Sequence, residues 1–495
     1  MKNLHIYVGL LIMLIVFTAG TIDLDHLFDY SSQEIPDYAS GIEIFDDEIF
    51  DNEPDYNRIN DAIATLGRVL FYDKKLSSDN TVSCASCHKQ ANAFGDTEVA
   101  SQGVNGTTNR HAMRLVNVRN ILRPENPFGL GFFWDQRVSM LEEAVTMPIE
   151  DHIEMGNSGQ NGAPDFDDVI EELAALDYYQ QLFAFAFGDS EVTKDRIGRA
   201  LAQFLRSIMS YDSKFDQGME LVDDILEPFP NFTEEENLGK ALCLEVPEIE
   251  IGENFANRIG GGLGCTNGCH FPGNFSSSSE GLHNGVITEI DGTPNLQFTK
   301  SPTLRDLFNP QGEVNGPMFA NGKAATFEDV LNHYNDSLEV VNGIGLGFSF
   351  FNPQGNLVPT RFHMTEEEKA QVTAFLKTLT GQAVYTDEKW SNPFDEDGNI
   401  NIVGNGISFV TQNLTTQELN IFPNPATGYI RLKDLPTGSY MLKVHNLQGQ
   451  EMLCESDVDA GRAPIGVAHL PSGVYSVSVF NRSENKVYAG QFVKH

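Results

Sequence analysis

Two short stretches of this 495-residue chain each place a histidine directly after a pair of cysteines. Cys84-Ala85-Ser86-Cys87-His88 keeps two residues between the thiols, and Cys265-Thr266-Asn267-Gly268-Cys269-His270 keeps three. Each follows a matching run, Leu66-Gly67-Arg68-Val69-Leu70 before the first and Leu238-Gly239-Lys240-Ala241-Leu242 before the second. The chain is an internal repeat of helix then Cys/Cys-His, which predicts two similar lobes. A cysteine pair running straight into histidine is the attachment signature of a c-type haem: each thiol adds to a vinyl group and the imidazole faces the iron. Zinc is the competing use of such residues, weakened here by the direct Cys-His adjacency and by an export signal. In the second motif Gly268, with Gly260, Gly261, Gly262 and Gly264, lets the backbone absorb the extra residue. Cys243 and Cys454 stand apart from both clusters.

That export signal is the N-terminus. Lys2 supplies a positive start, Val8 to Phe17 is almost continuously apolar, and the small residues Thr18, Ala19 and Gly20 follow. The apolar core is short for a membrane span and fits a cleavable signal peptide over 1–20. The chain carries 70 Asp plus Glu against 32 Lys plus Arg. Such a balance disfavours a nucleic-acid partner, which needs a basic face, and favours a positively charged protein partner.

Periodicity fills in the lobes. Residues 21–57 read as an acidic, solvated lead-in. Ile63, Leu66, Val69 and Leu70 predict a helix over 61–72. The arginines Arg110, Arg114, Arg119 and Arg123 suit carboxylate pairing. Leu141 to Met147 predicts a short helix ended near Pro148. Asp165 is a candidate N-cap for a helix through Ile170, Leu173 and Leu176, and Ile197, Leu201, Phe204 and Ile208 predict another over 194–210. Thr233 to Glu236 and Thr365 to Glu368 are capping boxes, the second opening a helix that ends at Gly381. From 416 onward, Tyr429 to Leu432, Tyr440 to Val444 and Val474 to Val479 read as strands between turns.

Two haem sites in one chain suggest that one collects electrons while the other does chemistry, which needs an open iron position and a nearby acid/base. The chain resembles the bacterial dihaem cytochrome c peroxidase superfamily, including its MauG-like enzymes. The resemblance rests on Leu66 to Asp73, Cys84 to His88, Phe133-Trp134-Asp135, Leu141-Glu142-Glu143, Met147-Pro148-Ile149, Ile153-Glu154-Met155-Gly156, Pro302 to Arg305, Thr326 to Val330 and His333-Tyr334-Asn335. The tail resembles a type IX secretion sorting domain through Asn420 to Ala426, Leu470 to Tyr475 and Gly490 to Val493.

The resemblance implies a mainly α-helical fold with two cytochrome c-like haem lobes, followed by a small all-β sandwich. The expected organisation is signal peptide 1–20, lead-in 21–57, peroxidatic haem domain 58–212, electron-transfer haem domain 213–394, linker 395–415 and sorting domain 416–495. It further implies two covalent haem c groups, on Cys84, Cys87 and His88, and on Cys265, Cys269 and His270. His88 and His270 would be axial iron ligands, Tyr334 the second ligand of the latter haem, with Met318 and His333 as alternatives. Trp134 would lie between the haems and Glu154 would be the acid/base acting on hydrogen peroxide. An interdomain calcium ion would draw on Asn315 and Pro317, the family's usual asparagine aligning near His111. Partners would be a small donor such as a cytochrome c or cupredoxin and the type IX machinery, with a homodimer left open. The protein would pass through the periplasm to the cell surface or medium. Two departures stand out. Val104 replaces a second, removable histidine, and Ala144 replaces a distal glutamine. A MauG-like oxidase acting on a protein or organic substrate, or a carrier without turnover, are the alternatives.

Overall fold

The computed structural model describes residues 24, 26–40, 51–120, 131–267, 269–276, 283–297, 299–336, 338–341, 344–345, 349–396, 398–403, 416–433, 440–446, 451–458, 464–481 and 486–495. The expected signal peptide, Arg123 and Gly268 lie outside them. The chain divides into two compact units, 1–404 and 405–495.

The longer helices of the first unit are α1 (Asp61–Tyr72), α2 (Phe166–Ala174), α3 (Asp177–Phe187), α4 (Lys194–Ser207), α5 (Glu234–Leu244), α6 (Phe327–Asp336) and α7 (Glu366–Lys377). Local chemistry sets most of their starts. The Asn60 side chain accepts from the N–H groups of Ala62 and Ile63. Asp165 accepts from Asp167 and Asp168, and Thr233 and Thr365 complete reciprocal boxes with Glu236 and Glu368. Each such cap satisfies donors that a helix start leaves orphaned.

The repeat is visible as one helix crossing used twice. A Cβ on Gly67 of α1 would lie 1.9 Å from the Ala200 carbonyl oxygen and 2.9 Å from Phe204 Cβ on α4. A Cβ on Gly239 of α5 would lie 1.9 Å from the Gln371 carbonyl oxygen and 2.9 Å from Phe375 Cβ on α7. Around the first crossing Leu66, Val69, Leu70, Phe71, Phe94 and Leu201 are buried together. Around the second, Phe215, Phe275, Leu331, Val372, Phe375 and Leu376 form a separate core.

Long-range contacts move several boundaries. α4 stops at Ser207, because Asn117 takes the Ile208 carbonyl at 2.8 Å and the Ser210 N–H at 2.7 Å. α7 stops at Lys377, where Thr378 N–H turns back to Phe375. Gly381 is needed instead for close approach, since a Cβ there would lie 2.3 Å from Ser210 Oγ. Pro148 sits in the first turn of a short helix, Met147–Glu150, rather than ending one, a position where its missing N–H costs nothing. α2 ends before Leu176, which precedes α3. The lead-in is not simply solvated. Tyr30 is fully buried in the first core and its hydroxyl donates to the Lys389 carbonyl at 2.6 Å.

A small sheet in the second half had no sequence forecast. Strands β1 (Pro247–Ile251), β2 (Ala256–Gly261), β3 (Ser349–Phe351) and β4 (Leu357–Arg361) lie in the order β1-β2-β4-β3. β1 and β2 form a hairpin between α5 and the second Cys/His motif, pairing Ile251 with Ala256 and Pro247 with Gly261.

The second unit is all β. It comprises β5 (Thr416–Glu418), β6 (Asn420–Phe422), β7 (Tyr429–Lys433), β8 (Tyr440–Asn446), β9 (Glu451–Val458), β10 (Ile465–Gly466), β11 (Gly473–Asn481) and β12 (Lys486–Lys494). A five-stranded sheet, β9-β8-β11-β12-β5, accompanies a three-stranded one, β6-β7-β10. Ile430 and Leu432 of the smaller sheet share a core with Leu442, Val444, Val477 and Val479 of the larger. The alternation along each strand sends these residues inward as a sandwich requires.

Candidate haem sites

The two motif histidines are positioned alike. Cys84–Cys87 forms one helical turn, after which His88 N–H bonds the Cys84 carbonyl at 2.9 Å. His270 N–H bonds the Cys265 carbonyl at 3.0 Å. The bond from histidine to first cysteine is therefore kept in both motifs despite their different lengths. Each loop beyond is closed by an antiparallel bridge, Lys89 to Gly95 and Phe271 to Ser276. His88 Nδ1 then lies 3.0 Å from the Phe94 carbonyl oxygen, and His270 Nδ1 lies 3.0 Å from that of Phe275. A carbonyl only accepts, so Nδ1 carries the proton and Nε2 keeps the lone pair that a metal needs. Burial pushes both rings toward the neutral form, His270 down to about 4.

Glu154 is brought to the first motif. Its N–H donates to Asp151 Oδ1 at 2.9 Å, and its carbonyl accepts from Val104 N–H at 2.9 Å. Burial chiefly, then Cys87 and Glu154, pushes the Cys84 thiol up to about 12. Burial raises Glu154 itself to about 7, with Asp151 adding and Arg137 opposing. Arg137 is held by Asp135 at 2.8 Å and lies over the Phe133 ring, 3.9 Å from its centre. Val104 packs at the edge of the first core.

The second motif opens on a cavity lined by Cys265, Cys269, His270, Trp134, Tyr334 and Met318. Cys265, Cys269 and His270 are each only partly buried. Much of the remaining wall is apolar, including Leu263, Phe362 and Leu376. Trp134 is 7% exposed, and its Nε1–H donates to the His111 carbonyl at 2.7 Å. It lies in the same segment as Phe133, Asp135 and Arg137, so one short stretch serves both sites. His333 does not line the cavity; its Nε2 lies 2.7 Å from the Asn284 carbonyl oxygen. His111 does line it, with Nδ1 2.9 Å from the Glu98 carbonyl oxygen.

Two cations mark where an acidic group would go. Lys300 is buried in the cavity wall, and burial pushes its ammonium down to about 8. Arg114 lines the same wall. Its Nη2 donates to the Thr303 carbonyl at 2.8 Å, while its Nε is buried without a hydrogen-bond partner. Among the described residues no carboxylate lies within ion-pair distance of either. The other arginines are spent elsewhere: Arg110 on Asp135 and Glu289, Arg119 on Asp51 and Glu53. An apolar cavity with two thiols, a neutral imidazole and two uncompensated cations fits a haem with its two propionates. Lys300 escaped sequence reasoning, because a lone lysine carries no sign of burial. Cys243 seemed isolated, yet it lines this cavity beside Cys265.

No cluster of three or more His, Cys, Asp or Glu groups that could hold a metal ion occurs among the described residues. Asn315 Oδ1 is nevertheless buried without a partner, while its Nδ2 donates to the Asp306 carbonyl and Tyr385 hydroxyl at 2.7 Å. No helix among the described residues is long and apolar enough to cross a membrane.

Residues 61–223 match the di-haem cytochrome c peroxidase family, and residues 420–494 match the secretion system C-terminal sorting domain. A cytochrome c551 peroxidase of Nitrosomonas europaea is 28% identical over 328 residues, covering 65% of this chain and 81% of the relative. The methylamine utilization protein MauG of Methylorubrum extorquens is 28% identical over 346 residues, covering 66% and 81%. A crystal structure of a MauG-like protein associated with microbial copper homeostasis superposes with a TM-score of 0.52 at 25% identity. It covers 70% of this chain and 97% of that one. The sorting domain indicates export by type IX secretion. The haem region is thus similar to di-haem cytochrome c peroxidases and MauG proteins, and the tail matches a secretion sorting domain.

Proposed function

We propose that the haem region reduces hydrogen peroxide to water with electrons from a small redox protein, a cytochrome c or a cupredoxin. Peroxide is handled on the His88 side, and electrons arrive on the His270 side. Cys84, Cys87 and His88 hold one c-type haem; Cys265, Cys269 and His270 hold the other. When bound, haem supplies iron that moves electrons from donor to peroxide. Lys300 and Arg114, which line the second cavity, would neutralise the propionates of a haem held there. Tyr334, or Met318 in its place, lines the same cavity as His270 and would supply the second iron ligand there. Asn315, with its unpartnered Oδ1, and Pro317 offer oxygens to a calcium ion.

Glu154 carries this reading. Its charge is felt by both thiols of the first motif, and burial raises its own pKa to about 7. Splitting peroxide requires a proton taken from one oxygen and given to the leaving one. A carboxyl near 7 is populated in both forms at neutral pH and can do both. Trp134, fixed by its bond to the His111 carbonyl, offers a π-system for charge passing between the sites.

The test is peroxide consumption with a reduced cytochrome, in the wild type and Glu154→Gln. The variant should lose roughly 10²–10⁴-fold in turnover; unchanged turnover rejects Glu154 as acid/base. The ferric protein should show one high-spin and one low-spin haem, and two low-spin haems would reject an open site near Val104. Tyr334 in the second cavity supports a second reading, a MauG-like oxidase of a protein or organic substrate. Peroxide-driven oxidation of such a substrate without donor turnover would favour it. Neither activity would leave an electron carrier. Export would proceed through the periplasm to the surface or medium.

A further inference from the structure

The two lobes depart from their shared register at two places, and these places touch. Matching Leu66-Gly67 with Leu238-Gly239 sets Cys243 at the position of Phe71. Phe71 fills the first core, its ring 5.9 Å from Phe94 and 5.2 Å from Phe204. In the second lobe that position carries a thiol, 2% exposed, and the motif that follows carries an extra residue. The β1–β2 hairpin brings the two together. It leaves the end of α5 and returns, so that Leu263 N–H bonds the Leu242 carbonyl at 2.6 Å and Thr266 N–H bonds the Cys243 carbonyl at 3.3 Å. The backbone of Cys265 is thereby held beside that of Cys243, so the two side chains start from neighbouring points of one cavity wall. Both line the His270 cavity together with Cys269. A haem offers two vinyl groups; this cavity offers three thiols.

We propose that Cys243 and Cys265 form a disulfide that competes with haem attachment at Cys265. The inference rests on the proposed attachment at the Cys265 to His270 motif. Oxidation breaks two S–H bonds and makes one S–S bond. The two electrons and two protons pass to a disulfide-bearing thiol oxidant of the export compartment, whose own S–S becomes two thiols. Thioether formation adds S–H across a vinyl double bond, and a disulfide sulfur has no hydrogen to add. Cys265 therefore enters one bond or the other. In the oxidised chain Cys269 alone holds the haem; in the reduced chain Cys265 joins it.

The full exported chain tests this. Free thiols are blocked under denaturing conditions and the peptides are weighed. From cells grown without reductant we expect peptides joined between Cys243 and Cys265, with haem mass on Cys269 alone in those molecules. Growth with a small thiol reductant should move haem onto both cysteines and leave Cys243 blocked. Cys243→Ala and the closer mimic Cys243→Ser should give two thioethers without reductant. The α band of the pyridine haemochrome, which shifts when a vinyl group stays unsaturated, records the change independently of turnover. If every wild-type molecule has Cys243 blocked and Cys265 in a thioether, the competition is overturned. Haem mass on Cys243 would overturn it too. Haem on neither Cys265 nor Cys269 would instead overturn the attachment on which it rests.

Discussion

Glu154 couples the proposed chemistry to stability. Folding raises its pKa from 4.5 to about 7, chiefly by burial. A carboxyl raised by folding stabilises the fold at low pH, where it is protonated in both states, and this contribution is lost as pH rises through about 7. The shift corresponds to roughly 3 kcal/mol. Between pH 5 and pH 8 the wild type should therefore lose melting temperature relative to Glu154→Gln, whose amide does not titrate. Parallel Tm profiles would show that the carboxyl is not held in this environment. Asp216 presents the opposite case. Burial alone would raise its pKa, but Arg305 holds it below the usual carboxylate range. Arg305 is 0% exposed, with Nη2 2.7 Å from Oδ1 and Nη1 3.0 Å from Oδ2. Asp216→Asn leaves that guanidinium buried without its counter-charge and should cost about 3–5 kcal/mol in urea unfolding. Adding Arg305→Met should recover part of the loss; no recovery would mean that the pair does not account for it.

At the scale of elements, the crossing used twice gives a paired prediction. Alanine at Gly67 or Gly239 places a methyl 1.9 Å from a carbonyl oxygen of the facing helix, so the helices must separate. Each substitution should destabilise by about 1–3 kcal/mol and lower haem content chiefly in its own lobe, as read by thermal unfolding and by haem-peptide mass. Equal haem loss from both lobes after either change would argue against separate cores. These helices were legible in sequence because their signals are local: the apolar spacing of Leu66, Val69 and Leu70, and the boxes at Thr233 and Thr365. The β1–β2 hairpin was not. Its Pro247-Glu248-Ile249-Glu250-Ile251 strand leaves Ile251 exposed, so alternation there says nothing about a core. Gly381 misled for a related reason, since the need for glycine comes from Ser210, far away in sequence. The two Cys/His motifs stand out in sequence as short local patterns, whereas the burial of Lys300 and the approach of Cys243 to Cys265 depend on how the chain returns on itself.

At the scale of the whole molecule, the formal charge of −38 favours a cationic donor, whose encounter would weaken as salt screens it. The division at Gly404 makes a sharper prediction. The first unit keeps its last strand-like contact, Val403 with Leu27, and the buried Ile402 within its own core. The second unit buries a separate set, including Ile430, Leu442 and Val477. Among the described residues each unit has its own buried core, so each can be satisfied alone. A chain ending at Gly404 should therefore keep the haem spectrum and peroxide turnover of the full chain within about twofold, the two units being energetically independent. Without residues 405–495 it should remain in the periplasm of its secreting cell, while the full chain reaches the surface or medium. Cell fractionation with a haem stain measures both. Export of the shortened chain would remove the sorting role from the β unit, and loss of its haem spectrum would show that the first unit depends on the second to fold.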